Sequence, residues 1–210
     1  MTRILLVRHG QTEWNRQEIF RGRADVPPSE LGVRQAMAVA ARLASEEISG
    51  VYSSPLRRAM VTAHHVAAAA GLAPRAVEDL TDMSYGAWEG QPHDRVRARY
   101  PDLYARWLSE PHRVRPPEGE TLAEVRRRAT DAVHRIAADH PNATVAVVSH
   151  RVVNKVLLCA TLGLGDDAFW RIRQETGCLN VLEWTGDPPR VLLVNDVCHL
   201  RGLERDRSDF

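Results

Sequence analysis

Short unbroken apolar runs alternate along this chain with longer stretches of helical spacing. Ile4-Leu5-Leu6-Val7 and Val145-Ala146-Val147-Val148 show no polar alternation. Each reads as a strand buried on both faces of a parallel sheet. Val51-Tyr52-Ser53 is a shorter candidate strand. Ser29 caps a predicted helix over 30–47, with Val33, Met37, Ala40 and Ala44 on its apolar face. Ser54-Pro55 reads as an N-cap followed by a first-turn proline, opening an alanine-rich helix that Gly71 stops. Thr121-Leu-Ala-Glu124 is a capping box. Its helix runs to Asp139 with Leu122, Val125, Ala129, Val133 and Ile136 inward. Pro141-Asn142 turns the chain into the Val145 strand, and a helix over 152–162 ends at Gly163. Strands over 179–184 and 190–196 flank the Gly186-Asp-Pro-Pro189 turn as a hairpin.

Strands alternating with helices imply βαβ units, hence an α/β fold: a three-layer α/β/α sandwich on a mainly parallel sheet. The stretch 84–119, with Trp88, Trp107 and a proline cluster, interrupts the alternation and reads as a lid excursion within a single 1–210 domain. The polar, basic tail after His199 is expected to fray.

Charge narrows the function classes. Lys and Arg number 28 against 27 Asp and Glu, a net charge of +1, which argues against nucleic acid as partner. Arg126-Arg127-Arg128 reads as a solvated helix face, His64 and His65 as helix-surface residues, and Trp88, Trp107 and Trp170 as packing. Three widely spaced cysteines suggest neither a disulfide framework nor a metal knuckle, and Cys159 reads as a core residue. The first apolar run is too short for a signal core, and no stretch approaches a membrane span. The expectation is a reduced, cytoplasmic protein.

The reactive residues sit where strands end. Arg8-His9-Gly10 follows the first strand, Ser149-His150-Arg151 follows the Val145 strand, and Arg57-Arg58 lies one turn into the helix after the Val51 strand. Open α/β sheets bind ligands beyond the carboxyl ends of their strands. Two imidazoles and several guanidiniums therefore converge on one edge, which suits a phosphate. An imidazole beside guanidiniums is held unprotonated and can attack phosphorus. Competing chemistries lack their motifs. The sixth residues after Cys159, Cys178 and Cys198 are Gly165, Trp184 and Glu204, so no Cys-x5-Arg exists. An early Asp-x-Asp, a P-loop, a Gly-x-Ser-x-Gly elbow and a His-Glu-x-x-His pair are also missing.

Leu6-Val-Arg-His-Gly-Gln-Thr-Glu-Trp-Asn15, Tyr52-Ser-Ser-Pro-Leu-Arg-Arg-Ala59, Gly86-Ala-Trp-Glu-Gly90, Gly119-Glu-Thr121 and Val148-Ser-His150 together resemble the histidine phosphatase superfamily, in its phosphoglycerate-mutase-like branch. The resemblance implies that His9 is the nucleophile and that Arg8, Arg58, His150 and Asn15 hold the phosphate. It implies a proton donor just before Gly86, where Asp82 stands in place of the usual glutamate, with Glu89 and Asp79 as nearby substitutes. Arg21-Gly22 stands where relatives often have Gln-Gly, and Arg21 could pair with a substrate carboxylate. Arg151 replaces a frequent glycine, and Pro28 a common leucine. Glu110-Pro-His-Arg-Val114 and Cys198-His-Leu200 are similar to metal-independent phosphoserine phosphatases, which implies that His199 reaches the substrate. The implied activity is hydrolysis of small anionic phosphomonoesters, including phosphoserine, with no metal and no cofactor. The alternatives are a bisphosphoglycerate-dependent mutase and a silent phospholigand-binding protein. A homodimer is compatible with the sequence but not demanded by it.

Overall fold

The computed structural model describes residues 1–185 and 188–203. Its elements run β1 (Thr2–Arg8), α1 (Glu13–Arg16), α2 (Glu30–Leu43), β2 (Ile48–Ser53), α3 (Arg57–Ala69), β3 (Arg75–Ala76), α4 (His93–Arg99), α5 (Pro101–Ser109), α6 (Leu122–Asp139), β4 (Thr144–Ser149), α7 (Arg151–Thr161), β5 (Leu179–Trp184) and β6 (Arg190–Asp196). The six strands form one sheet in the order β3-β2-β4-β1-β5-β6. The β3-β2-β4-β1 half is parallel, and β5 and β6 add an antiparallel hairpin. The result is the expected α/β sandwich.

Alternate side chains of the central strands enter two cores. Ile4, Leu6, Val145 and Val147 pack with α6 and α7, while Leu5, Val7, Ala146 and Val148 face α2 and α3. Strands covered on both sides need apolar residues at every position, which is why these runs show no alternation. The capping box of α6 is present, with Glu124 N–H donating to the Thr121 hydroxyl at 3.3 Å and Thr121 N–H to the Glu124 carboxylate at 2.8 Å. Its five expected apolar positions are all buried.

Two helices differ from expectation. Helix α2 ends at Leu43, not 47, and is rotated. It buries Leu31, Gln35, Ala36, Val39 and Leu43 together with the expected Ala40, leaving Met37 and Ala44 exposed and Val33 half-buried. Apolar residues surround this helix, so periodicity could not choose the face. A close approach does: a Cβ on Gly32 would lie 2.0 Å from the Gln11 carbonyl oxygen, and the Gln35 side chain accepts the Gln11 N–H at 2.8 Å. Helix α3 begins at Arg57, and neither Ser54 nor the N-cap Leu56 caps it with a side chain. The Ser54 hydroxyl accepts the Leu56 N–H at 3.3 Å, and Asp25 accepts the Arg57 N–H at 2.7 Å from 32 residues away.

The 84–119 excursion carries α4 and α5 and contributes an aromatic cluster. Trp88 and Trp107 are fully buried, edge-on at 6.4 Å between ring centroids. Cys159 is buried in the core, and Trp170 lies 5.7 Å from Trp107. His64 is exposed and His65 half-buried on α3. Part of the Gly186-Asp-Pro-Pro189 turn and the tail beyond Leu203 lie outside the described residues. Leu200, early in the stretch expected to fray, is buried. Among the described residues no helix is long and apolar enough to cross a membrane.

Candidate active site

Strand register brings the two histidines together. β1 and β4 run parallel with Arg8 opposite Ser149, so the next residue of each chain, His9 and His150, emerges beside the other. The His9 N–H donates to the Ser149 carbonyl at 3.0 Å, and the imidazole centroids lie 5.1 Å apart. β2 lies on the other side of β4, and its register brings α3 and Arg58 to the same edge. The antiparallel β5 starts where β1 ends. Gly177 N–H donates to the His9 carbonyl at 3.1 Å, and the Arg8 guanidinium bonds the Gln174 carbonyl.

His9 is 1% exposed. Its Nδ1 lies 2.6 Å from the Gly10 carbonyl oxygen. A carbonyl can only accept, so Nδ1 carries the proton and Nε2 keeps its lone pair. Burial, then His150, Arg58 and Arg8, holds the His9 pKa well below the usual imidazole value. His150 is fully buried, and its pKa is also pushed well down, first by burial and then by Arg58 and Arg128. Neither of its ring nitrogens has a hydrogen-bond partner among the described residues.

Arg58 is fully buried and donates to the carbonyls of Ala24 and Gly22, both at 2.7 Å. Its Nη2 also reaches Asp82 Oδ2 at 3.2 Å. Desolvation lowers its pKa, and Asp82 opposes the shift. Asp82 Oδ2 stands 3.7 Å from His150 Nδ1, and Oδ1 accepts the Met83 N–H at 3.0 Å. The two substitutes for Asp82 are engaged elsewhere. Asp79 pairs with Arg135 at 2.6 Å on the surface. Glu89 accepts the N–H groups of Tyr85 and Arg23 at 2.9 and 3.1 Å. Asn15 commits its Oδ1 to the Thr12 N–H at 2.9 Å, while its buried Nδ2 has no partner.

A small cavity of about 10 Å³ opens over this edge, lined by His9, Ile19, Phe20, Arg21, Gly22, Asp82, Tyr85, His93, Arg151 and Val152. Arg8, Arg58 and His150 do not line it; they are buried beside His9 and Asp82, which do. A second cavity of about 100 Å³, between α6, α7 and the hairpin, lies among Val133, Leu157 and Trp184, away from this chemistry.

Arg21 is 7% exposed. Its Nη1 reaches the carbonyls of Trp14 and Ile19, at 3.3 Å each, and burial with Arg151, Arg8 and Arg58 nearby lowers its pKa to about 9. Arg151 is buried, its guanidinium 5.8 Å from the Trp170 ring centroid. His199 is half-buried with Nε2 2.9 Å from the Gly177 carbonyl oxygen. It therefore touches the backbone that supports His9 and does not line the cavity.

The 126–128 run is not a uniformly solvated face. Arg127 is exposed, but Arg126 pairs with Asp166 at 3.1 Å and Arg128 bonds the carbonyls of Asp79, Thr81 and Asp82. Three consecutive helical residues span about 200° of circumference, so one had to flank the buried stripe. Tyr85, His93 and Gln174 also carry the site without having been singled out. His93 stacks on Phe20 at 4.0 Å, and burial pushes its pKa to about 3. No sequence spacing marked these three.

Residues 4–197 match the family described as Histidine phosphatase superfamily (branch 1). Phosphoserine phosphatase 1 of Hydrogenobacter thermophilus is 34% identical over 200 residues, 95% of each chain. The bifunctional protein Rv2228c of Mycobacterium tuberculosis is 38% identical over 201 residues, which are 95% of this chain and 55% of that protein. Among solved structures, Bacillus stearothermophilus YhfR superposes with a TM-score of 0.92 at 32% identity, covering 95% of this chain and 100% of that one.

Proposed function

This chain belongs to the histidine phosphatase superfamily and hydrolyses phosphomonoesters, and we propose that it does so without a metal, through a phosphohistidine on His9. The Nε2 lone pair attacks phosphorus as the P–O ester bond breaks, and the Asp82 carboxyl gives its proton to the departing alkoxide. Water then attacks the phosphoryl group, Asp82 takes the water proton, and the P–N bond breaks to release phosphate. Arg8, Arg58, the free Asn15 Nδ2 and His150 cradle the equatorial oxygens, with Gly22 shaping the wall. The guanidiniums supply the positive charge that a metal would otherwise bring.

The observation that carries this reading is the 2.6 Å contact of His9 Nδ1 with the Gly10 carbonyl, which leaves Nε2 to attack, beside two buried arginines and one carboxylate. Arg21 and Arg151 line the same cavity and favour a substrate with a second anionic group, and phosphoserine heads the candidates. The 84–119 excursion acts as the lid, supplying Tyr85 and His93. Three free cysteines fit a cytoplasmic setting.

The test is turnover by His9→Ala, with acid-quenched trapping of labelled phosphate on the wild-type enzyme. Turnover at the wild-type rate by the variant overturns the nucleophile. A panel of phosphoserine, 3-phosphoglycerate and sugar phosphates, scored for released phosphate against isomerised product, ranks substrates and separates hydrolysis from mutase transfer. EDTA leaves the rate unchanged; abolition overturns metal independence.

A further inference from the structure

The backbone leading into Asp82 is held from outside its own loop. The carbonyls of residues 79–82 take no backbone hydrogen bond among the described residues. Ser149, at the end of β4, donates its hydroxyl to the Leu80 carbonyl at 2.7 Å. Arg128 of α6 takes the other three. Its Nη1 donates to Asp79 at 2.8 Å and Thr81 at 2.6 Å, and its Nη2 to Asp82 at 3.1 Å. Nε and the remaining Nη2 hydrogen go to the two oxygens of Glu120, each at 3.0 Å. Glu120 in turn accepts the Ser84 N–H at 2.8 Å. All five guanidinium hydrogens thus meet five acceptors, and the clamp grips the loop before Asp82 and, through Glu120, after it. Lysine cannot reproduce this fork.

We propose that Arg128 is a positioning residue for proton transfer: it fixes the height of the Asp82 backbone so that a short carboxyl meets the leaving oxygen. The inference rests on the acid role given to Asp82 above. An aspartate has a single methylene between backbone and carboxyl, so where its carboxyl stands is set closely by where its backbone is held. Misplacement of about 1 Å at a reacting group is enough to lower rates roughly 100-fold. The charge of Arg128 also falls on His150, which links the clamp to the same edge.

The experiment compares kcat/KM for 4-nitrophenyl phosphate, whose phenolate leaves without a proton, with that for glycerol 3-phosphate, whose alkoxide needs one. It is run on wild type, Asp82→Asn, Arg128→Lys and Glu120→Gln. The aryl-to-alkyl ratio is expected to rise about 100-fold in Asp82→Asn and about tenfold in Arg128→Lys, with a smaller rise in Glu120→Gln. A merely structural role lowers both substrates equally; an unchanged ratio in Arg128→Lys overturns the proposal. If Arg128→Lys does not fold, Glu120→Gln decides by the same criterion. An unchanged ratio in Asp82→Asn instead removes the acid assignment, and the inference with it. A shift in Asp82→Asn alone removes only the clamp.

Discussion

The two halves of the candidate site are built by different means. His9 and His150 stand at the ends of neighbouring parallel strands, and ladder hydrogen bonds set their separation. Asp82 stands in a loop with no ladder, and side chains from α6 and β4 set its place. Backbone pairing is cooperative over a whole sheet, so no single side chain decides where the histidines stand. The acid loop depends on a few side chains, each of which can be deleted. The nucleophile end is therefore expected to tolerate changes nearby, and the acid end to fail with loss of any strut.

The largest effect falls on the strand edge itself. His9→Ala removes the attacking atom, and kcat on phosphoserine is expected to drop about 10⁴-fold or more. Circular dichroism should stay native, because the ladder does not need the imidazole. Loss of the fold with the activity breaks the contrast. Next comes the acid: Asp82→Asn is expected to slow alkyl phosphate hydrolysis about 10²- to 10⁴-fold, read by released phosphate.

Acid should act through the histidines. His93 has a folded pKa near 3, below its unfolded value of about 6.5. The unfolded chain therefore binds the extra proton as pH falls below 6.5, and stability is lost in that window. Between pH 7.5 and pH 5 the expected loss from His93 is about 2 kcal/mol in urea unfolding. His9 and His150 are depressed in the same direction and add to it. A flat stability profile over this range contradicts all three burials. The smallest effect sharpens the comparison most. Ser149→Ala strands one buried carbonyl, at a cost of about 1–3 kcal/mol. Hydrogen exchange should quicken at residues 81–84 while the β1 amides stay protected; equal loosening of both would merge the two regions.

Much of this was legible from residue order. The apolar runs of β1 and β4 announced buried parallel strands, and the capping box located the start of α6. His9 and His150 were visible because they directly follow strands, and Arg58 because it lies in the first turn of the helix after one. The rotation of α2 was not visible, because apolar residues surround that helix and only the Gly32 contact chooses among faces. The cap of α3 was not visible either, since Asp25 arrives from 32 residues upstream. Arg128 looked like one arginine of three.

By itself the sequence determined five of the six strands, all but β3, the limits of α6 and α7 to within a residue, and the residues that sit near strand ends. These follow from local periodicity and from the chain rule that a strand's last residue is followed by its loop. Only the tertiary structure decided which way α2 turns, that Asp82 and neither Asp79 nor Glu89 faces His150, and that Arg128 grips the acid loop. Those choices depend on hydrogen bonds between residues far apart in the chain, and a one-dimensional pattern carries no distance between them.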